Sequence, residues 1–317
     1  MNEPRKHHYL PKFYLRNFAS VDEKLMQADR TGRVFGTSVD DAGAIKDFHR
    51  LDYEDADEFA FEKGLASLEG VLAALLSRVL SSDRISETDR ETVVFFAAHL
   101  RMRVPPVHKH VERLLQSAVR SSLHLLERQG ALPSRPEGLD DSWSDSVNIL
   151  IANWKCLEMM FRLAADEDHL AFLSGMHISL LRAPSDSYFL TSDQPVSIFE
   201  PYDTDQYAAS YSPAVEFTLP LSAKLALQFR RAQMPQRGTI EASDITSDGV
   251  NEINRRTVIM ADRWVFSTGK LSDLSSMVAG LAGQFAGFKN DVMNAGGDFF
   301  LINRTIPVLP AEAYRPR

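Results

Sequence analysis

The chain has 317 residues, 44% of them hydrophobic and 25% charged, which is enough to bury a core in one large domain or two modest ones and excludes a disordered or collagen-like chain. A single cysteine, Cys156, excludes an intramolecular disulfide and cysteine-rich zinc modules. With no apolar run of about 18 residues and no apolar segment behind the basic N-terminus, a reducing cytoplasm and no membrane partner are expected. The net charge of −8 argues against a general nucleic-acid coat, but residues 1–20 hold four basic groups against one acidic and residues 99–128 hold six against two.

The first segment, HHYLPKFYLRNF, reads as an extended arm that becomes a short helix after Pro11, with Phe13, Tyr14, Asn17 and Phe18 on one side. Leu25–Gln27 and Val34–Phe35 flank Gly32 and predict a hairpin. Residues 40–57 are acidic and read as loop. A helix is expected over Ala56–Leu80 with Leu65, Leu72, Leu76 and Val79 on one stripe, and a second from near Ser86 to the Pro105-Pro106 break. A third follows over Val107–Gln129, closed by Gly130, then the loop ALPSRPEGLDDS and a fourth helix over Val147–Ala165.

Beyond His169 the pattern turns to strands: His177–Arg182, Tyr188–Thr191, Val196–Phe199, Val215–Leu219 and Leu225–Phe229. A helix over Asp244–Met260 with Ser243 as its cap, a strand over Trp264–Ser267 and a small apolar helix over Leu274–Phe288 complete the reading. The expected fold class is α+β: a helical N-terminal half, then a mixed or antiparallel sheet flanked by helices. The expected divisions are an arm and hairpin over 1–55, a helical region over 56–170 and an α+β region over 171–317.

Six of the nine histidines, His7, His8, His99, His108, His110 and His124, lie in the two basic stretches. Clustered arginine and histidine suits an anion site, and also suits a merely solvated surface. Neighbours His7 and His8 point to opposite faces of an extended segment, so one faces inward and the other outward. Glu62 and Glu69, seven apart, share a helix face beside the leucine stripe, with Glu58 nearby; each needs a metal, an arginine or an ion pair. Phe95, His99 and Arg103 recur every four residues. Asp193 in TSDQPV stands where a strand ends, a place for a catalytic carboxylate or an ordinary turn former. Cys156 reads as a buried, inert thiol.

HHYLPKFYLRNF, the helix EKGLASLE, RMRVP, FLTSDQPV, FTLPLSAKLAL and VNEINRRTVIMADRWVFS occur in one order. The series resembles the bacterial family catalogued as domain of unknown function 4238. The resemblance spans nearly the whole chain and implies a shared fold and a shared polar site, without a reaction. Carried over by position, that site comprises His7, His8, Tyr14, Arg16, Glu62, Glu69, Arg103, Ser192, Asp193, Asn251 and Asn254. RMRVP stands where the family pattern has RTP, so the residue before Pro105 departs from it.

His, Arg, Glu and Asp from distant segments suit a cleft for an anionic substrate. The favoured expectation is metal-dependent hydrolysis of phosphodiesters in nucleic acid or nucleotide, in the form of a defence or toxin nuclease. Asp193, Glu62 and Glu69 would bind magnesium or manganese or act as base, and His7 or His8 would move protons. Arg16 and Arg103 would hold phosphate, with Tyr14, Ser192, Asn251 and Asn254 lining the substrate. The rival expectation is a non-catalytic binding or interaction protein whose polar motifs fasten the arm to the sheet. Convergence of Asp193 and both glutamates with a histidine in an open cleft would favour the enzyme; histidines buried against backbone would favour the rival.

Overall fold

A computed structural model describes residues 6–52, 57, 60–133, 138, 147–201, 215–232, 234, 236–268, 274–281, 284, 286–295 and 298–309, with backbone alone for 288–304. Most of the expected loop ALPSRPEGLDDS and the candidate Glu58 lie outside these residues.

The arm enters as strand β1 (Lys6–His8), turns at Pro11 and docks as one helical turn, α1 (Lys12–Leu15), tightening into a 3-10 turn to Phe18. Its ring fixes Pro11 at φ −60, which makes the corner. The hairpin follows as β2 (Lys24–Asp29) and β3 (Val34–Ser38). Gly32 sits in its turn at φ 84, and a Cβ there would meet the Ser275 carbonyl at 2.7 Å. The acidic stretch read as loop contains a strand, β4 (Ala44–Lys46), antiparallel to β1 with Ile45 opposite His7. Three residues are too few to display an alternating pattern.

Helix α2 (Ala60–Ser82) buries Leu65, Leu72, Leu75, Leu76 and Val79. It is long and apolar enough to cross a membrane by length and composition. The sequence offers no unbroken apolar run, because Glu69 and Arg78 interrupt it; the leucines, valines and alanines between them make it apolar. Strand β5 (Arg84–Ile85) leads to a turn capped by Ser86, whose Oγ accepts the Asp89 N–H at 3.1 Å, and on into α3 (Arg90–Met102). Helix α4 (Pro105–Arg128) starts at Pro105, where a missing N–H costs nothing.

Helix α5 (Asn153–Ala164) begins six residues after the expected start at Val147, and a further helix, α6 (Glu167–Ser174), was not expected. Asp166 caps it by accepting the His169 N–H at 2.8 Å. A capping acid inside an acidic run is not distinctive in sequence.

The second half contributes β6 (His177–Arg182), β7 (Thr191–Ser192), β8 (Ser197–Phe199), β9 (Glu216–Pro220), β10 (Leu225–Arg230), β11 (Ile240–Asp244), α7 (Ser247–Met260) and β12 (Trp264–Ser267). Asp244 therefore ends a strand, and the cap of α7 is Thr246, which accepts the Gly249 N–H at 3.2 Å, rather than Ser243. The last expected helix stops early, as α8 (Leu274–Gly280), and the chain returns as a hairpin of β13 (Gly287–Ala295) and β14 (Asp298–Ile306). Glycine spaced through that segment weakens a helix.

Among the described residues a six-stranded sheet runs β5-β11-β6-β10-β9-β8, and a four-stranded sheet runs β3-β2-β12-β7. The larger sheet is mixed, since β11 lies parallel to β6 while β10 is antiparallel to it. The fold is α+β. The N-terminal hairpin completes a sheet with β12 and β7, which come from the other end of the chain. One cluster of buried side chains holds Tyr14 and Phe18 of the arm, Leu72, Phe96 and Met160 of the helices, and Ile198, Phe217 and Phe229 of the strands. That shared core brings β1, the turn after β4, and the facing sides of α2 and α3 together.

Candidate functional site

His7 is the central residue of β1, and strand alternation turns it inward while its neighbours face out. Opposite, the chain leaves β4 and turns at Asp47, φ 58, which carries Phe48 and His49 into the interior. The first turn of α2 supplies Glu62. These segments meet at one point. His7 Nδ1 accepts the backbone N–H of His49 at 2.8 Å, and the two imidazoles stack with centroids 5.7 Å apart. His49 Nδ1 bonds to Glu62 Oε1, which lies 3.9 Å from His7 Nδ1. One ligand-capable atom from each of the three residues lies within 4.8 Å of the others. Both histidines are 2% exposed and Glu62 is 35% exposed, so solvent reaches the cluster from the glutamate side.

Rings wall the cluster. Phe48 lies 5.0 Å from His49 and Phe61 5.2 Å, and Phe161 packs edge-on against Phe61 at 4.7 Å. Burial is the main force lowering the His49 pKa, to about 4, against the opposing Glu62 bond. Burial pushes Glu62 up, but the His49 hydrogen bond and the nearby charges outweigh it and hold the carboxyl below its usual range. At pH 7 the pair is therefore a neutral imidazole donating to a carboxylate. His7 Nε2 is buried with no hydrogen-bond partner among the described residues.

Beside this cluster, Arg103 joins three elements. Its Nη1 donates to Glu69 Oε1 at 2.9 Å and meets His99 Nε2 at 3.1 Å, and its Nη2 donates to the His8 carbonyl at 2.8 Å. Burial lowers its pKa while Glu69 supports its charge. His99 is held well below its usual pKa by burial, then by Arg103. Glu62 and Glu69 do share a face of α2, but Glu62 serves a histidine and Glu69 serves an arginine.

The remaining expected site residues lie elsewhere. Asp193 is 3% exposed, and its oxygens accept three amide N–H groups: Asp262 at 2.8 Å, Arg263 at 2.7 Å and Trp264 at 3.0 Å. Burial pushes its carboxyl up to about 7, against the pull of those bonds. Its acceptor oxygens are taken up by the segment that leads from α7 into β12, and it is not in the His7–His49–Glu62 cluster. Ser192 Oγ donates to the Gln194 carbonyl at 2.8 Å and builds the turn. Tyr14 donates to the Pro220 carbonyl at 2.8 Å and meets Thr191 Oγ1 at 2.7 Å, which places the arm against the TSDQPV strand.

Asn254 accepts the Leu190 N–H at 2.8 Å and donates to the Tyr188 carbonyl at 2.9 Å. A side chain thus replaces a neighbouring strand, and the expected strand over Tyr188–Thr191 shortens to Thr191–Ser192. Asn251 is exposed on α7, and Arg16 is half exposed in a 2.8 Å pair with Glu23. His8 is half buried, and burial lowers its pKa first, then Lys12.

His49 was not among the candidates. It stands in the acidic stretch 40–57, away from the basic segments, and nothing local in FHRL marks it. For the cluster to take an ion, His7 Nδ1 would release the His49 amide, at a cost of about 1–3 kcal/mol. That is small beside the roughly 10 kcal/mol or more that a tightly bound structural metal contributes. A model of the family described as Protein of unknown function (DUF4238) matches residues 6–270. Comparison with curated proteins and with solved structures gives no match.

Proposed function

Because the chain belongs to the DUF4238 family, whose description names no activity, we propose from the geometry alone that it is a metal-dependent hydrolase of phosphodiester bonds with His7, His49 and Glu62 as its reaction centre. The observation that carries this reading is the convergence of three ligand-capable side chains from three separate segments, open to solvent on one side. His7, His49 and Glu62 would hold a divalent ion. Such an ion lowers the pKa of a bound water and polarises a phosphoryl oxygen. His49 is neutral at pH 7, the form that ligates. The charge of Arg103 is near enough to act on both His49 and Glu62, and it adds positive potential for an anionic substrate. Nucleic acid or nucleotide is the substrate class, with the cytoplasm as the compartment and a defence or toxin nuclease as the concrete form.

The test is hydrolysis of RNA, DNA and nucleotides with magnesium, manganese or zinc, and with chelator. Wild type should cleave at least one class of substrate, chelator should stop it, and Glu62→Gln should lower the rate about 100-fold or more. No cleavage by wild type with any metal removes the proposal. A non-catalytic binding or interaction protein is the second reading. Two observations favour it: Asp193 and Glu69 do not join the cluster, and Tyr14, Arg103, Asp193 and Asn254 all spend polar atoms on bonds inside the fold. On that reading Glu62→Gln changes stability and nothing else.

A further inference from the structure

We infer that the His7–His49–Glu62 cluster is a site for a borderline divalent transition metal of the zinc class rather than for magnesium; this rests on the proposed reaction centre and names its ion. The donor set decides the class. Three carboxylates would make a hard site, whereas two imidazoles and one carboxylate make a borderline one. Magnesium takes oxygen ligands, keeps several waters and demands octahedral geometry, while imidazole suits zinc, iron, nickel and copper.

Two further features agree. The cluster offers three protein ligands, the number that leaves a coordination position for water or substrate at a catalytic zinc, and its exposed edge is at Glu62. Independently, His7 is almost wholly buried and its Nε2 finds no partner among the described residues. Because Nδ1 accepts the His49 amide, the proton of the neutral ring sits on Nε2, which leaves Nδ1 the lone pair that would take an ion facing Glu62. The flanking Phe48 and Phe61 rings offer no competing polar group.

The experiment uses the full chain stripped with chelator and titrated calorimetrically with zinc chloride, then with magnesium chloride. Cobalt chloride, read by visible absorption, reports the ligand set. Zinc should bind one to one and about 100-fold or more tighter than magnesium. Zinc should also raise the melting temperature, because it binds only the folded state. Glu62→Gln, a partly exposed isosteric change checked by circular dichroism, should weaken zinc binding about tenfold or more. His177→Ala, an exposed histidine on β6, should leave it unchanged.

No zinc binding, a preference for magnesium, or equal affinities in wild type and Glu62→Gln would overturn the inference. The two proposals separate cleanly. Zinc binding without hydrolysis keeps the site and removes the phosphodiester reading; hydrolysis with magnesium and no zinc binding does the reverse.

Discussion

Asp193 bonds three backbone amides with two oxygens, which sets what one substitution should do. An asparagine keeps one acceptor oxygen and turns an NH2 toward N–H groups that need an acceptor. Each buried donor left unsatisfied costs about 1–3 kcal/mol. Asp193→Asn should therefore lower the unfolding free energy by about 2–4 kcal/mol, read as a shifted urea midpoint, and an unchanged midpoint would refute the three-amide role. This differs from both sequence-based alternatives, since an ordinary turn former would tolerate asparagine and a metal ligand would lose only activity. Several of the polar residues legible in sequence are buried among apolar neighbours, while Arg16 and Asn251 are exposed, and burial is common to catalytic and structural groups. Arg103, Asp193 and Asn254 are buried, but only the fold shows that their partners are backbone atoms, Glu69 and His99. His49 shows the opposite case. Its sequence neighbours carry no pattern, and its role arises entirely from a short turn that meets β1 and α2.

At the scale of elements, the N-terminal arm is the segment on which most rests. Tyr9, Leu10, Tyr14, Leu15 and Phe18 are each 4% exposed or less. At roughly 1.5–3 kcal/mol per fully buried side chain, five of them amount to about 8–15 kcal/mol, comparable to the whole stability of a typical domain. Removing residues 1–18 should therefore abolish cooperative unfolding rather than merely lower its midpoint. Near-ultraviolet circular dichroism and a denaturation curve decide it, and a sharp transition close to that of the intact chain would show the arm to be dispensable. The elements legible in sequence were those with length or punctuation, such as the hairpin around Gly32, α2 with its leucine stripe, and the α3–α4 break at Pro105. Strand β4 and helix α6 were not legible, because three or eight residues hold too little period. Hairpin β13–β14 lay beyond a glycine-spaced segment that imitated a helix by its apolar composition.

For the molecule as a whole, the buried histidines set the response to acid. Burial holds His49 and His169 at about 4, and His99 well below its usual range. A histidine depressed in the folded state takes up its proton in the unfolded chain first, near 6.5, so stability is full above that value and falls as pH drops toward the folded pKa. Asp193 works in the other direction. Its folded pKa of about 7 exceeds the unfolded value, so its contribution grows on acidification from 7 and is complete below about 4. The lowered Glu62 begins to lose its contribution only as pH falls through the usual carboxylate range. Between pH 6 and 4.5, then, His49 and His169 oppose Asp193, which leaves about one net proton on the unfolded state, and the lowered His99 and His8 add in the same direction. A net proton is worth about 1.4 kcal/mol per pH unit, so the slope should be at least about that much, stability falling as the medium is acidified. Urea midpoints measured at pH 7, 6 and 5 test it. The loss should be reduced in His169→Gln, which removes one titrating ring outside the metal-binding candidates. A midpoint that is flat or rises from pH 6 to 5 would mean that Asp193 outweighs the histidines, and that the buried rings are charged inside the fold.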